Sequence, residues 1–434
     1  MNAKAGDKVK VTAKDEIIEG ILMPNEETDS VVIKLDNGYN IGIGNKKIKE
    51  IKVIEKYKEA KSTPKSQIKK DSKKPTIAIL HTGGTIASKV DYRTGGVYSS
   101  FNPEDLLEMF PEMFGIANFS SKLIANMWSD DLRFKHFEII TKAVEKEVKK
   151  GVDGIIIGMG TDNLAVASAA LAFIIEETPI PILLVGAQRS SDRGSSDAAM
   201  NLISAAEFIA KTDFAGVGIC MHESTSDNTS AILPPCKTAK LHSSRRDAFK
   251  PVNDTLIARI DYDTKKVEFI KKDYLKKDKK GKLVIKPRME EKIGLLKIHV
   301  NMFPEQFEFY KGYKGLIIEG TGLGHTPGQA PNEWCKIHEK IYPALKKVID
   351  SGCIIVMTTQ CLFGKVHMHV YDKGVDLTKI GVIPGKDMLA ETAFIKLSWL
   401  LGNCKKEEVK ELITKNLRGE INDRLMKDEF LDLT

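Results

Sequence analysis

The chain has 434 residues, is 42% hydrophobic and carries a formal charge of +7, enough to bury a sizeable core over two or three domains. No run of 18 apolar residues occurs, and residues 1–16, MNAKAGDKVKVTAKDE, hold no apolar h-region, so no membrane span or secretory signal is expected and the cytoplasm is the expected location. Six cysteines (Cys220, Cys236, Cys335, Cys353, Cys361 and Cys404) form no CxxC pair, which argues against a zinc ribbon or a disulfide framework.

Residues 1–55 read as a small β-barrel module. Short alternating runs, DKVKVTA, IIEGILMP, SVVIKLDNGYNIGIG and IKEIKVIEK, are separated by turn signals, and Asp36–Gly38 marks a hairpin. Residues 56–74 form a basic linker, with 8 Lys against Glu59 and Asp71 and no apolar periodicity. Such a run suits either a phosphate backbone or a solvated tether.

From Pro75 the rhythm becomes alternating strand and helix, read as an N-terminal α/β domain over 75–264. TIAILHTGG is a strand and turn, and NPEDLLEMFPEM is a short helix. FKHFEIITKAVEKEVKKG is an amphipathic helix stopping at Gly151. The apolar strand in VDGIIIGMGTD leads into the helix NLAVASAALAFIIEE, and PIPILLVGAQ leads into SSDAAMNLISAAEFIAK. Continuous apolar strands joined by helices are the pattern of a parallel sheet covered on both faces. Residues 265–291 are Lys-rich and read as an interdomain linker; Lys265–Arg288 holds 11 basic and 3 acidic residues. A smaller α/β domain over 292–434 follows, with strands in YKGLIIEGTG and CIIVMTTQC and a closing helix LAETAFIKLSWLLG. His367 and His369 in VHMHV are expected on one face of a strand, a thin signal for a metal, and no metal site is expected.

Three segments carry polar groups where such sheets bind ligands, at strand C-termini. In TGGTIAS, Thr82 and Thr85 flank Gly83 and Gly84. No GK[ST] or GxGxxG is present, so a phosphate cradle lacks its essential parts; a structural turn or a reactive hydroxyl remains. In GMGTDNLAVAS, Thr161 or Asp162 is a normal helix N-cap, or both face the crevice and hold substrate charges. In CKTAKLHSSRRDAF, Lys240 is a solvated charge or, desolvated beside Arg245 and Arg246, a base.

Together, TGGTIAS, GMGTDNLAVASAALAF and GVIPGKDMLAETAFIKLSWLLG resemble the motifs of L-asparaginases and related amidohydrolases, from about Pro75 to the C-terminus. The resemblance implies a two-domain asparaginase-like parallel-sheet amidohydrolase of the α/β class. It implies that Thr85 is the nucleophile and that Thr161, Asp162 and Lys240 form the second catalytic cluster, with Lys237 nearby in the same segment. Tyr98, thirteen residues after Thr85, matches the tyrosine of a mobile loop, with Tyr92 competing for that role. Ser129 in NMWSDDLRF matches the serine that binds the substrate α-carboxylate; Asp130 stands where relatives often carry Gln. Asp162 would also hold the substrate ammonium, and backbone N–H groups near Gly84 or Gly160 would stabilise an oxyanion.

The extra 75 residues, SSRRDAF and the Lys-rich stretch resemble a narrower family, the D subunits of archaeal glutamyl-tRNA(Gln) amidotransferases. That resemblance implies a glutaminase that supplies ammonia to an E subunit, which uses ATP and Mg to convert Glu-tRNA(Gln) to Gln-tRNA(Gln). It further implies a homodimer core in a heterotetramer, tRNA(Gln) as a partner and no cofactor in this chain. A free L-asparaginase, or a non-catalytic RNA- or partner-binding protein on the same fold, are the alternatives.

Overall fold

The computed structural model describes residues 3–14, 16–23, 29–35, 40–56, 71–84, 88–90, 97–99, 110–189, 196–278, 280–427 and 430. At the N-terminus, β1 (Lys8–Ala13), β2 (Ile17–Met23), β3 (Ser30–Lys34), β4 (Asn40–Gly44) and β5 (Ile48–Glu55) pair antiparallel in the order β4-β3-β2-β1-β5. Alternation in the sequence is alternation in space here: Val9, Val11 and Ala13 point inward with Ile18, Ile33 and Ile43, while Lys8, Lys10 and Thr12 of β1 are half-exposed. The hairpin expected at Asp36–Gly38 has its strands paired, Lys34 opposite Asn40, while the turn residues themselves lie outside the described residues. Residues 57–70 of the basic linker are likewise outside them.

The main sheet is built on β6 (Thr76–His81), followed by a short pair, β7 (Ser88–Val90) and β8 (Val97–Ser99). Next come β9 (Asn118–Leu123), β10 (Gly154–Gly158), β11 (Ile175–Glu177), β12 (Pro181–Val185), β13 (Gly216–His222) and β14 (Thr229–Leu233). A ribbon of β15 (Thr238–Lys240) and β16 (Phe249–Pro251) precedes β17 (Ala258–Asp261) and β18 (Val267–Phe269). The eight-stranded order is β18-β17-β14-β13-β12-β10-β6-β9. Strands β9, β6, β10, β12 and β13 are parallel, as the apolar runs imply. The remaining three are antiparallel, so the sheet is mixed rather than wholly parallel.

The Lys-rich segment 265–291 is built into this fold. It supplies β18 and β19 (Val284–Ile285), which pairs with β11, and Ala215 donates to the Leu275 carbonyl at 2.7 Å. Lys271, Lys276 and Lys286 pair with Asp254, Asp213 and Glu176. A second sheet follows, of four parallel strands: β20 (Ile293–Lys297), β21 (Gly315–Gly320), β22 (Ile354–Thr359) and β23 (Ile383–Pro384). His367 and His369 do not lie on a strand; VHMHV is an irregular loop with Val366 and Met368 buried and both histidines exposed. Among the described residues no group of three His, Cys, Asp or Glu could hold a metal.

Helix Phe134–Lys149 turns Phe137, Ile140 and Val144 inward at helical spacing and ends before Gly151, whose φ of +79° suits a left-handed stop. Helix Leu164–Ile174 is apolar all round because it is covered all round: it packs between the main sheet and helix Ala390–Asn403. It stops earlier than its apolar run, since Ile175–Glu177 leaves it as β11. One core therefore runs from Leu80, Ile155 and Phe173 to Ile317, Val356 and Leu397. Truncating Phe173 or Leu397 in this seam is expected to cost about 2–5 kcal/mol. No helix among the described residues is long and apolar enough to cross a membrane.

Candidate active site

Strand register lines up the site. His81, Gly158, Val185 and Cys220 stand side by side across β6, β10, β12 and β13. The residues just beyond them, Thr82–Gly84, Met159–Asp162 and Gly186–Gln188, thus form one crevice at the strand C-termini. The first two turns meet backbone to backbone: Thr82 N–H donates to the Gly158 carbonyl at 2.9 Å, and Gly84 has φ +84°. A Cβ on Gly84 would stand 2.3 Å from the nitrogen of Gly160, so no other residue fits. Gly160 in turn lies against Ser129, where an added Cβ would be 2.9 Å from the hydroxyl.

Thr161 and Asp162 are not the helix cap. The N-cap is Asn163, and both preceding side chains point elsewhere. Lys240, at the end of β15, donates from Nζ to the Thr161 hydroxyl at 2.9 Å and to Asp162 Oδ1 at 2.8 Å. The three residues expected to cluster are therefore in contact, although 78 residues separate Asp162 from Lys240. Lys240 is mostly buried at 14% exposure while Asp162 is open at 69%, which leaves the carboxylate accessible to a ligand cation. A cavity of about 380 Å³ opens beside this pair, lined by Val166, Leu241, Leu362, Phe363 and Thr392 among others.

Lys237, the neighbour in the same motif, is excluded from the crevice. It is fully buried and donates to the Asp387 carboxylate at 2.5 Å and to its carbonyl at 2.9 Å. Ser129 is buried, and its hydroxyl accepts from Asn163 N–H at 3.3 Å while its carbonyl accepts from Asn163 Nδ2 at 2.8 Å. Thr85 and Tyr92 lie outside the described residues; Tyr98 is placed on β8, with its side chain outside them. Asp130 lies in the short 3-10 turn Ser129–Asp131.

Three further residues belong to this crevice without having been singled out in the sequence. Asn163 ties Ser129 to the helix start. Gln188 accepts the Thr161 hydroxyl proton through Oε1 at 3.4 Å. Asp197, fully buried, holds Gln188 N–H at 3.0 Å and Arg189 N–H at 3.1 Å. GAQ and SSD carried the signal, a strand end followed by a helix start, but as common turn residues they did not stand out.

Several known proteins are similar to this chain. Residues 76–274 match the family model "Asparaginase, N-terminal", residues 292–413 the "Glutaminase/Asparaginase C-terminal domain", and residues 3–54 the "GatD N-terminal domain". The D subunit of the glutamyl-tRNA(Gln) amidotransferase of Pyrococcus furiosus is 45% identical, covering 95% of this chain and 93% of its own. The corresponding D subunit from Methanococcus maripaludis strain S2 is 42% identical, covering 97% and 98%. Among solved structures, the thermostable L-asparaginase of Thermococcus kodakarensis superposes with a TM-score of 0.69 at 28% identity, covering 80% of this chain and all of its own. L-asparaginase I of Vibrio cholerae gives 0.68 at 27% identity, with 80% and 99% covered.

Proposed function

The chain belongs to the family of glutamyl-tRNA(Gln) amidotransferase D subunits, and from that premise we propose that it is the glutaminase of a tRNA-dependent amidotransferase. It hydrolyses glutamine, or asparagine, and its ammonia serves a partner E subunit. That protein, with ATP and Mg, converts Glu-tRNA(Gln) to Gln-tRNA(Gln). The assembly is a heterotetramer on a homodimer core and works in the cytoplasm. The observation carrying the reading is the Lys240–Thr161–Asp162 cluster placed against Gly84, the residue before the nucleophile.

In this reaction the Thr85 oxygen attacks the side-chain amide carbon. The hydroxyl proton passes to a base, either Tyr98 or Lys240 acting through Thr161, and ammonia leaves with a proton. Water then attacks the resulting ester, releasing glutamate and restoring Thr85. A threonine hydroxyl needs such a base to react. Backbone N–H groups near Gly84 or Gly160 stabilise the developing oxyanion, about 3 kcal/mol per donor. Asp162 holds the substrate ammonium and Ser129 its α-carboxylate.

A free asparaginase is the weaker reading. The superposition on asparaginases covers 80% of the chain, whereas the D-subunit relatives cover 95% and 97% and a model for their N-terminal domain matches residues 3–54. The test is to label the full chain with a reactive glutamine analogue and map the adduct by mass spectrometry. The adduct is expected on Thr85, and Thr85→Val is expected to abolish ammonia release with folding and assembly intact. A label elsewhere, or an active Thr85→Val, rules the mechanism out. Lys240→Met is expected to lower turnover by about 100- to 10,000-fold.

A further inference from the structure

A run of hydrogen bonds crosses the crevice, from Lys240 through Thr161 to Gln188. As an ammonium paired with the Asp162 carboxylate, Lys240 donates and the Thr161 hydroxyl accepts, at 2.9 Å; to act as the base in the reaction above it must first pass that proton on. The Thr161 proton then points the other way, to Gln188 Oε1 at 3.4 Å. In this arrangement Oε1 of the Gln188 amide faces Thr161. Its Nε2 group turns away, buried, and finds no acceptor among the described residues. Buried amide donors are nearly always paired, and one left open in a crevice marks the place of a missing acceptor.

The backbone leaves Gln188 little freedom. Its N–H and that of Arg189 are both held by the Asp197 carboxylate. Asp197 is in turn held by Asn201 Nδ2 at 3.2 Å, which also donates to the Gly186 carbonyl at 3.0 Å. Asn201 Oδ1 lies 2.7 Å from His222 Nδ1, which must be the donor because an amide oxygen cannot donate. Asp197 and Asn201, the described polar side chains that hold this backbone, are therefore committed to other partners than Gln188 Nε2.

We propose that Gln188 is a substrate-contacting residue whose free Nε2–H donates to the carboxamide oxygen of the bound amide. This rests on the glutaminase reading above. The assignment to the carboxamide end follows from position. Ser129 reaches the Gly160 turn from the chain that follows β9, whereas Gln188 reaches it from β12, on the opposite side of β10. A substrate whose α-carboxylate lies at Ser129 therefore brings its amide end toward Gln188.

The test separates this contact from support of Thr161. Gln188→Glu keeps an oxygen for the Thr161 hydroxyl and removes the donor, while Gln188→Leu removes both. Ammonia release from glutamine is measured on the full chain assembled with its partner protein and charged tRNA. Wild type comes first: if it releases no ammonia from glutamine or asparagine, the glutaminase reading itself fails. With wild type active, both variants are expected to lose kcat/KM by about 10- to 100-fold. Gln188→Glu is expected to regain activity relative to its own neutral-pH value as acid protonates the carboxyl and restores a donor. A Gln188→Glu within twofold of wild type, or one whose loss is the same at every pH, overturns the proposal. If Gln188→Leu fails to fold, Gln188→Glu at two pH values decides alone.

Discussion

His81 closes β6 just before the TGGT turn and is almost wholly buried, with Nε2 2.8 Å from the Ser121 hydroxyl. Burial disfavours the imidazolium and pushes its pKa down to about 4, against an ordinary 6.5. The ring is therefore neutral at physiological pH. The sign of the pH effect follows. As pH falls below 6.5 the unfolded chain takes up this proton and the folded one does not, until about pH 4. Stability is thus full above 6.5 and declines by about 3 kcal/mol on acidification to 4. Denaturant melts at pH 7.5 and 4.5 should show this loss, and His81→Gln should shrink it; an unchanged slope would mean that other groups control acid stability.

Among the elements, the β15–β16 ribbon carries Lys240 and is anchored three residues earlier. Lys237 and Asp387 form a buried pair, and the Asp387 carboxylate also accepts from Asn422 N–H at 3.1 Å. Breaking one half strands a buried charge, so Asp387→Ala is expected to cost about 3–5 kcal/mol, whereas Lys237→Met combined with Asp387→Leu should recover most of it. Chemical denaturation of the single and double variants measures this; equal losses would show that the bonds of Asp387 themselves stabilise the fold and that the stranded charge is not the cost. The sequence showed two lysines three apart in one motif and could not say which one turns inward, because Asp387 lies 150 residues away. Turns at β6 and β10 were legible because glycines and hydroxyls interrupt long apolar runs there. The antiparallel half of the main sheet was not: β14, β17 and β18 are 3–5 residues long and give little periodicity. VHMHV misled for the opposite reason, since in-out alternation persists in an irregular loop pinned by Val366 and Met368.

Over the whole molecule, charge is less available than composition suggests. Lysines of 265–288 that pair with Asp254, Asp213 and Glu176 are committed to the fold. Of the 8 lysines of 56–74, Lys74 is likewise tied to the fold through the Phe114 carbonyl, which leaves the other 7 as candidates for a phosphate backbone. Deleting Lys56–Lys74 is expected to weaken tRNA-dependent glutamine hydrolysis more than basal hydrolysis, with a shallower dependence on salt. Equal loss of both would assign the segment a folding role. Glutaminase turnover should likewise be faster in the assembled complex with tRNA than in the isolated chain, as steady-state ammonia release would show.

Because a carbon on Gly84 would fall 2.3 Å from the nitrogen of Gly160, the two turns meet with no room between them. Glutamine and asparagine differ by one methylene, and this joint has no slack with which to close in on the shorter one. Selectivity between the two amides must then be tuned from the walls, through the reach of side chains around a fixed floor, and lineages that exchange one nitrogen donor for the other should carry their substitutions there.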